Sequence, residues 1–135
     1  MAKYFTIGEL CKSDVAFARG LANTPTDQAT IGRMDALMND CLDKVRELWG
    51  KPIGVNSGYR SPELNRAVDG ATNSQHLKGE AADITAGGRE DNRKLFDLIV
   101  ASDITFDQLI DESNYKWLHI SYRTDNNRKQ VLHLG

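Results

Sequence analysis

No stretch of this sequence approaches the ~20 consecutive apolar residues of a membrane-spanning helix. The N-terminus, Met1-Ala2-Lys3-Tyr4-Phe5-Thr6-Ile7-Gly8-Glu9, lacks the apolar core of about 7–15 residues that a secretory signal carries. A chain made and kept in the cytoplasm unless something releases it is therefore expected, with no membrane partner. A Lys/Arg block is also missing and the formal charge is −2, so the electrostatic footprint of a nucleic-acid binder is absent. Cysteine is scarce: Cys11 and Cys41 lie too far from the motifs described below to suggest a thiolate metal site. Two reduced, largely buried thiols are the expectation. Internal repeats and low-complexity runs are lacking too. At 135 residues and 40% hydrophobic content the chain can bury one core and is too short for two. A single domain over residues 1–135, acting as a monomer, is expected.

What is present is a clear periodicity. Ile31, Met34, Leu37, Met38, Cys41, Leu42, Val45, Leu48 and Trp49 recur at steps of three and four, which predicts a long amphipathic helix whose stripe packs on the core. Gly50 and Pro52 end it. Ile53 and Val55 read as a short strand, and Ser61-Pro62 as a helix start with Ser61 as cap. A polar loop, Asp69-Gly70-Ala71-Thr72-Asn73, follows. A further helix is expected from about Arg89 to Ser102, burying Leu95, Phe96, Leu98 and Ile99, and then three strands: Phe106 to Asp111, Trp117 to Tyr122, and Gln130 to Leu134. Helices followed by an antiparallel sheet argue for an α+β fold.

The chemistry concentrates in Ser74-Gln75-His76-Leu77-Lys78-Gly79-Glu80-Ala81-Ala82-Asp83 and in Trp117-Leu118-His119-Ile120-Ser121. Two imidazoles and one carboxylate form the donor set of a catalytic zinc site with an open fourth position. Zinc is preferred because the set holds no thiolate and imidazole with carboxylate suits it. His76 and Asp83 are seven positions apart, too irregular for one helix face, so the chain must turn between them and Gly79 supplies the freedom. A strand from about Ala81 puts Ala81 and Asp83 on one face and Ala82 and Ile84 on the other. Trp117, His119 and Ser121 likewise share a face. The third histidine, His133, belongs to no such pattern and reads as a surface residue of the last strand.

The patterns Ser74-x-His76-x-x-Gly79-x-Ala81-x-Asp83 and Trp117-x-His119-x-Ser121 resemble those of the zinc D-Ala-D-Ala carboxypeptidases and L-alanyl-D-glutamate endopeptidases, whose metal-site fold is shared with the Hedgehog signalling domain. Ser57-Gly58-Tyr59-Arg60-Ser61 with Leu64-Asn65, Phe106-Asp107-Gln108-Leu109-Ile110 and the opening Phe5-Thr6 through Leu10 extend the likeness over most of the chain. The compact, phage-associated branch is the nearest in form. The resemblance implies a small antiparallel sheet carrying the metal with helices packed against it. It also implies zinc held by His76, Asp83 and His119, and a peptidoglycan peptide as substrate. An endolysin or murein hydrolase, acting on the wall after release or as part of a virion, follows from the same likeness. Arg60 is implied in substrate or oxyanion binding, which suits a guanidinium's two parallel hydrogen bonds to a carboxylate or developing oxyanion; an ion pair supporting the loop is the plainer reading. Ser74 and Gln75 are expected to line the cleft or to cap the turn before His76.

One departure matters. Many members of that family place the catalytic acid three residues before the last histidine ligand, where this chain has Lys116. The base then falls to Glu112 or Asp111. A two- or four-residue connection centred between Asn114 and Tyr115 sets Glu112 opposite Trp117, diagonal to His119 at about 7–8 Å. A three- or five-residue connection brings Asp111 to that face instead. The Hedgehog fold carries a Glu just before the corresponding strand, which favours Glu112. The expected reaction is amide hydrolysis, in which zinc acidifies water and polarises the carbonyl, Glu112 moves the proton and Arg60 steadies the oxyanion. The alternatives are a catalytically silent zinc-containing binding module and a virion structural component of the same fold.

Overall fold

The apolar stripe of the sequence becomes a rod of three joined segments: α3 (Gln28–Leu37), a π-turn (Met38–Leu42) and α4 (Asp43–Trp49). Asp27 starts the rod, its carboxylate accepting from the backbone N–H of Thr30 at 2.9 Å and from the Thr30 hydroxyl at 2.7 Å. Gly50, in the left-handed region at φ 75°, ends it. Met34, Leu37, Met38, Cys41, Leu42 and Val45 are buried as expected, but Leu48 is 37% exposed. The wide turn is the reason: each residue of a π-turn advances less round the axis than in an α-helix, so the stripe drifts off the core by the last turn. In this computed structural model residues 2–134 are described. Met1 and Gly135, the ends of the expected domain, lie outside them.

Two short helices precede the rod, α1 (Ile7–Cys11) and α2 (Asp14–Arg19). At five and six residues they are too brief to show a period. Each is capped by the residue before it: Thr6 accepts from Glu9 N–H at 3.1 Å and Ser13 from Ala16 N–H at 3.2 Å. Ser61 caps α5 (Pro62–Ala67) with Pro62 in its first turn. In α6 (Arg89–Ala101) the buried residues are Asn92, Leu95, Phe96 and Ile99, while Leu98 is 41% exposed, contrary to expectation. At about 100° per residue those four occupy one arc of the helix, and Leu98 stands roughly 60° beyond its edge.

Five strands form one sheet in the order β1-β2-β4-β3-β5: β1 (Gly54–Ser57), β2 (Ala81–Thr85), β3 (Gln108–Glu112), β4 (Trp117–Ser121) and β5 (Gln130–Leu134). Ala82 and Ile84 from β2, Leu109 from β3, and Leu118 and Ile120 from β4 are fully buried on the face that joins the helical core. The alternate residues, Asp83, His119, Ile110 and Glu112, turn to the other face. The architecture is α+β, but the sheet is not wholly antiparallel. β5 runs parallel to β3, because the chain leaving β4 passes across the start of β3 before running beside it. Lys129 N–H bonds to Phe106 O at 3.0 Å and Gln130 N–H to Asp107 O at 2.9 Å along that crossing. Cys11 is partly buried and Cys41 fully so, both as free thiols. Burial pushes the Cys41 thiol up to about 12, leaving it inert. No helix among the described residues is long and apolar enough to cross a membrane.

Candidate metal centre and cleft

His76 is placed by a 3-10 turn, Gln75–Lys78. Ser74 opens the turn, its hydroxyl accepting from His76 N–H at 3.2 Å, and Gly79 closes it at φ 76°. A Cβ at Gly79 would meet Met34 Cγ at 2.5 Å and Thr30 O at 3.2 Å, so the turn can lie against α3 only with glycine there. The ring of His76 is buried, and its Nδ1 lies 2.7 Å from Gly58 O. A carbonyl only accepts, so Nδ1 carries the proton and Nε2 keeps its lone pair for a metal. Gly58 itself is packed tightly on α1, where a Cβ would fall 2.4 Å from Leu10 O.

Asp83 and His119 are directly opposite each other in the β2–β4 ladder. One Asp83 oxygen, Oδ1, lies 3.4 Å from His76 Nε2 and 3.1 Å from His119 Nδ1. The two imidazoles meet edge to face, with ring centroids 5.2 Å apart. Donors about 2.0–2.1 Å from a shared tetrahedral ion stand roughly 3.3 Å from one another, so these separations fit zinc. One donor atom from each of the three residues lies within 4.8 Å of the others. Burial pushes the Asp83 carboxyl up, yet when the two rings are protonated, hydrogen bonds and charge from His119 and His76 outweigh it and hold the group well below the usual carboxylate range. The anionic form that a metal requires is thus the form this pocket favours.

Arg60 approaches the same carboxylate, its Nη2 3.8 Å from Asp83 Oδ2. Its Nη1 donates to Asn65 Oδ1 at 3.3 Å, its Nε to Ser57 Oγ at 3.4 Å, and its backbone N–H to His76 O at 3.0 Å. The guanidinium is therefore fixed beside the donors, but it opens on a separate hollow with Ser57, Leu64 and Val68. The main cleft, about 430 Å³, is reached from His119 instead. Ser74, Gln75 and Glu112 line it, with Ile110 and Gln108 alongside and Lys78, Arg123 and Arg128 adding positive charge. Ser74 accordingly both caps the turn and lines the cleft.

The hairpin between β3 and β4 decides which acid reaches that face. Four residues, Ser113 to Lys116, connect the strands, and Glu112 pairs with Trp117. Ser113, Asn114 and Tyr115 all take left-handed conformations, with φ of 51°, 55° and 64°. Such a run is costly for residues with side chains, and Asn92 holds it: fully buried, its Nδ2 donates to Tyr115 O at 2.9 Å and Lys116 O at 3.1 Å. Its Oδ1 accepts from Ala86 N–H at 2.6 Å, tying the hairpin to the end of β2. With this register Glu112 lines the cleft beside His119, while Asp111 is buried on the other face against His133 Nδ1. Lys116 is exposed in the turn, and the His133 side chain is 63% exposed.

Several residues of this region escaped the sequence. Glu80, nearly buried, lines the cleft and accepts from Gln75 Nε2 at 3.3 Å. Arg123 and Arg128 reach it from the β4–β5 crossing. Nothing local marks them, since strand pairing far along the chain brings them in.

Comparison with known proteins agrees with this arrangement. A family model described as Peptidase M15 matches residues 3–121. The zinc D-Ala-D-Ala carboxypeptidase of Streptomyces albus G is 39% identical over 88 residues, covering 63% of this chain and 32% of that protein. The chain thus matches about a third of the length of that relative.

Proposed function

The chain belongs to the peptidase M15 family, and from that premise we propose that it is a zinc metallopeptidase hydrolysing an amide bond in peptidoglycan stem peptides or their cross-links. The observation that carries the reading is the donor set His76, Asp83 and His119, able to hold a metal at the edge of a cleft that Glu112 also lines. Zinc, when bound by these three residues, supplies the Lewis acidity that acidifies water and polarises the scissile carbonyl. Glu112 takes a proton from the attacking water and gives it to the leaving amine, so that hydroxyl ends on the acyl carbon and hydrogen on nitrogen as the C–N bond breaks. Arg60 binds the substrate or steadies charge on the carbonyl oxygen. Ser74 and Gln75 offer hydrogen bonds to the peptide from the wall of the cleft. In the cell this is the work of an endolysin or murein hydrolase that meets the wall after release or from a virion.

A zymogram on purified peptidoglycan tests the reading. Clearing that a chelator abolishes and added zinc restores is expected, and mass spectrometry of the released muropeptides identifies the bond. The exposed Lys116, at the position where the family resemblance implies the base, favours one second reading: a zinc-containing binding module. Zinc uptake with no clearing at any protein concentration would establish that instead.

Arg60→Lys probes the guanidinium separately. Lysine keeps the charge but loses the planar fork that now contacts Asn65, Ser57 and Asp83. Activity is expected to fall about 10-fold or more while zinc content stays at that of the wild type. Wild-type kinetics in this variant would leave Arg60 as only a support for the loop.

A further inference from the structure

The family match ends at residue 121, yet two guanidiniums lining the cleft come from the segment just beyond it. That segment is built rather than loose. Asn127 Oδ1 accepts from Arg123 N–H and its Nδ2 donates to Arg123 O, both at 2.7 Å. Arg128 grips the fully buried Asp107 with two prongs, Nε to Oδ1 at 3.0 Å and Nη2 to Oδ2 at 2.8 Å, and its backbone N–H adds a third bond at 3.1 Å. Those bonds hold the Asp107 carboxyl below its ordinary range.

The two arginines therefore differ. Arg128 has its carboxylate within the protein. Among the described residues no carboxylate lies within ion-pair distance of the Arg123 guanidinium, although the side chain is half-buried and lines the cleft. Lys78, the remaining cation of the cleft, is an exposed point charge on a flexible stem. Asn127 fixes the Arg123 backbone and leaves its guanidinium unpaired at a concave site, where a carboxylate would match it through two parallel hydrogen bonds.

We propose that Arg123 is a specificity residue that binds a carboxylate of the peptide lying in the cleft. The proposal rests on the peptidase reading for its ligand. A stem peptide offers two sources, its C-terminal carboxylate and the free carboxylate of its internal glutamate.

The test uses the zinc-loaded full chain and three synthetic peptides: L-Ala-γ-D-Glu-L-Lys-D-Ala-D-Ala, the same peptide with a C-terminal amide, and the same peptide with the glutamate carboxylate amidated. Binding is read by calorimetry, or as KM where the peptide is cut. Wild type is expected to bind the free peptide about 10- to 100-fold more tightly than one of the two amides, the scale of a charge-assisted hydrogen bond, and that amide names the carboxylate. Arg123→Ala should bind free peptide and that amide alike, with zinc content and circular dichroism unchanged. Arg123→Lys should recover only part of the preference. An undiminished preference in Arg123→Ala, an equal loss on all three peptides, or no preference in wild type would overturn the proposal. Binding with the expected preference but without cleavage by wild type would sink the peptidase reading and leave this one standing.

Discussion

His76→Ala, Asp83→Ala and His119→Ala are each expected to abolish tight zinc binding and all metal-dependent activity. Wild type should carry about one zinc per chain, counted by elemental analysis after gel filtration. Each ligand is held before the metal arrives: His76 by Gly58 O, Asp83 and His119 by their opposition in the ladder. Losing a group behind a ligand typically costs 10–100-fold in metal affinity, and losing the ligand itself should cost more. Asp83→Asn is the most telling variant. It keeps the size of the side chain and removes the charge that sits 3.1 and 3.4 Å from the two imidazoles and 3.8 Å from Arg60. Its fold, checked by circular dichroism, should survive while zinc is lost. Full metal occupancy in any of these proteins would remove that residue from the site.

How much of this site could be read in the sequence follows from how local each feature is. That Asp83 and His119 project to one side of their strands is a period-two statement about Ala81 to Ile84 and Trp117 to Tyr122, and the ladder pairs them directly. Gly79 as the turn before β2 was legible for the same reason, and so was the Ser61-Pro62 start of α5. The parity of the β3–β4 hairpin was not. It depends on Asn92, more than twenty residues away on α6, which fixes a left-handed run that no local preference of Ser113, Asn114 and Tyr115 announces. The π-turn in the long rod escaped because a stripe such as Met34 to Val45 fits both helices until its last turn, where Leu48 leaves the core. The parallel direction of β5 depends on Asp107 and Phe106 receiving the crossing chain. That is a contact between segments, and hydrophobic alternation within Gln130 to Leu134 carries no sign of direction.

The hairpin that could not be read locally makes the sharpest functional prediction. Glu112→Gln is expected to retain fold and zinc and to lower kcat on the order of 100-fold or more, the scale of general-base catalysis. The amide matches the carboxylate in shape but cannot accept a proton at neutral pH. Asp111→Asn should behave differently, because its side chain is buried on the core face against His133 and away from the cleft. Its loss should appear in stability, at about 1 kcal/mol given that the His133 side chain is exposed and screened, with activity within a few-fold of wild type. Thermal melts and single-turnover rates on the two variants separate these outcomes. A large rate loss in Asp111→Asn with a mild one in Glu112→Gln would mean that the working enzyme uses the other hairpin register; mild losses in both would place the base outside β3 and β4 altogether.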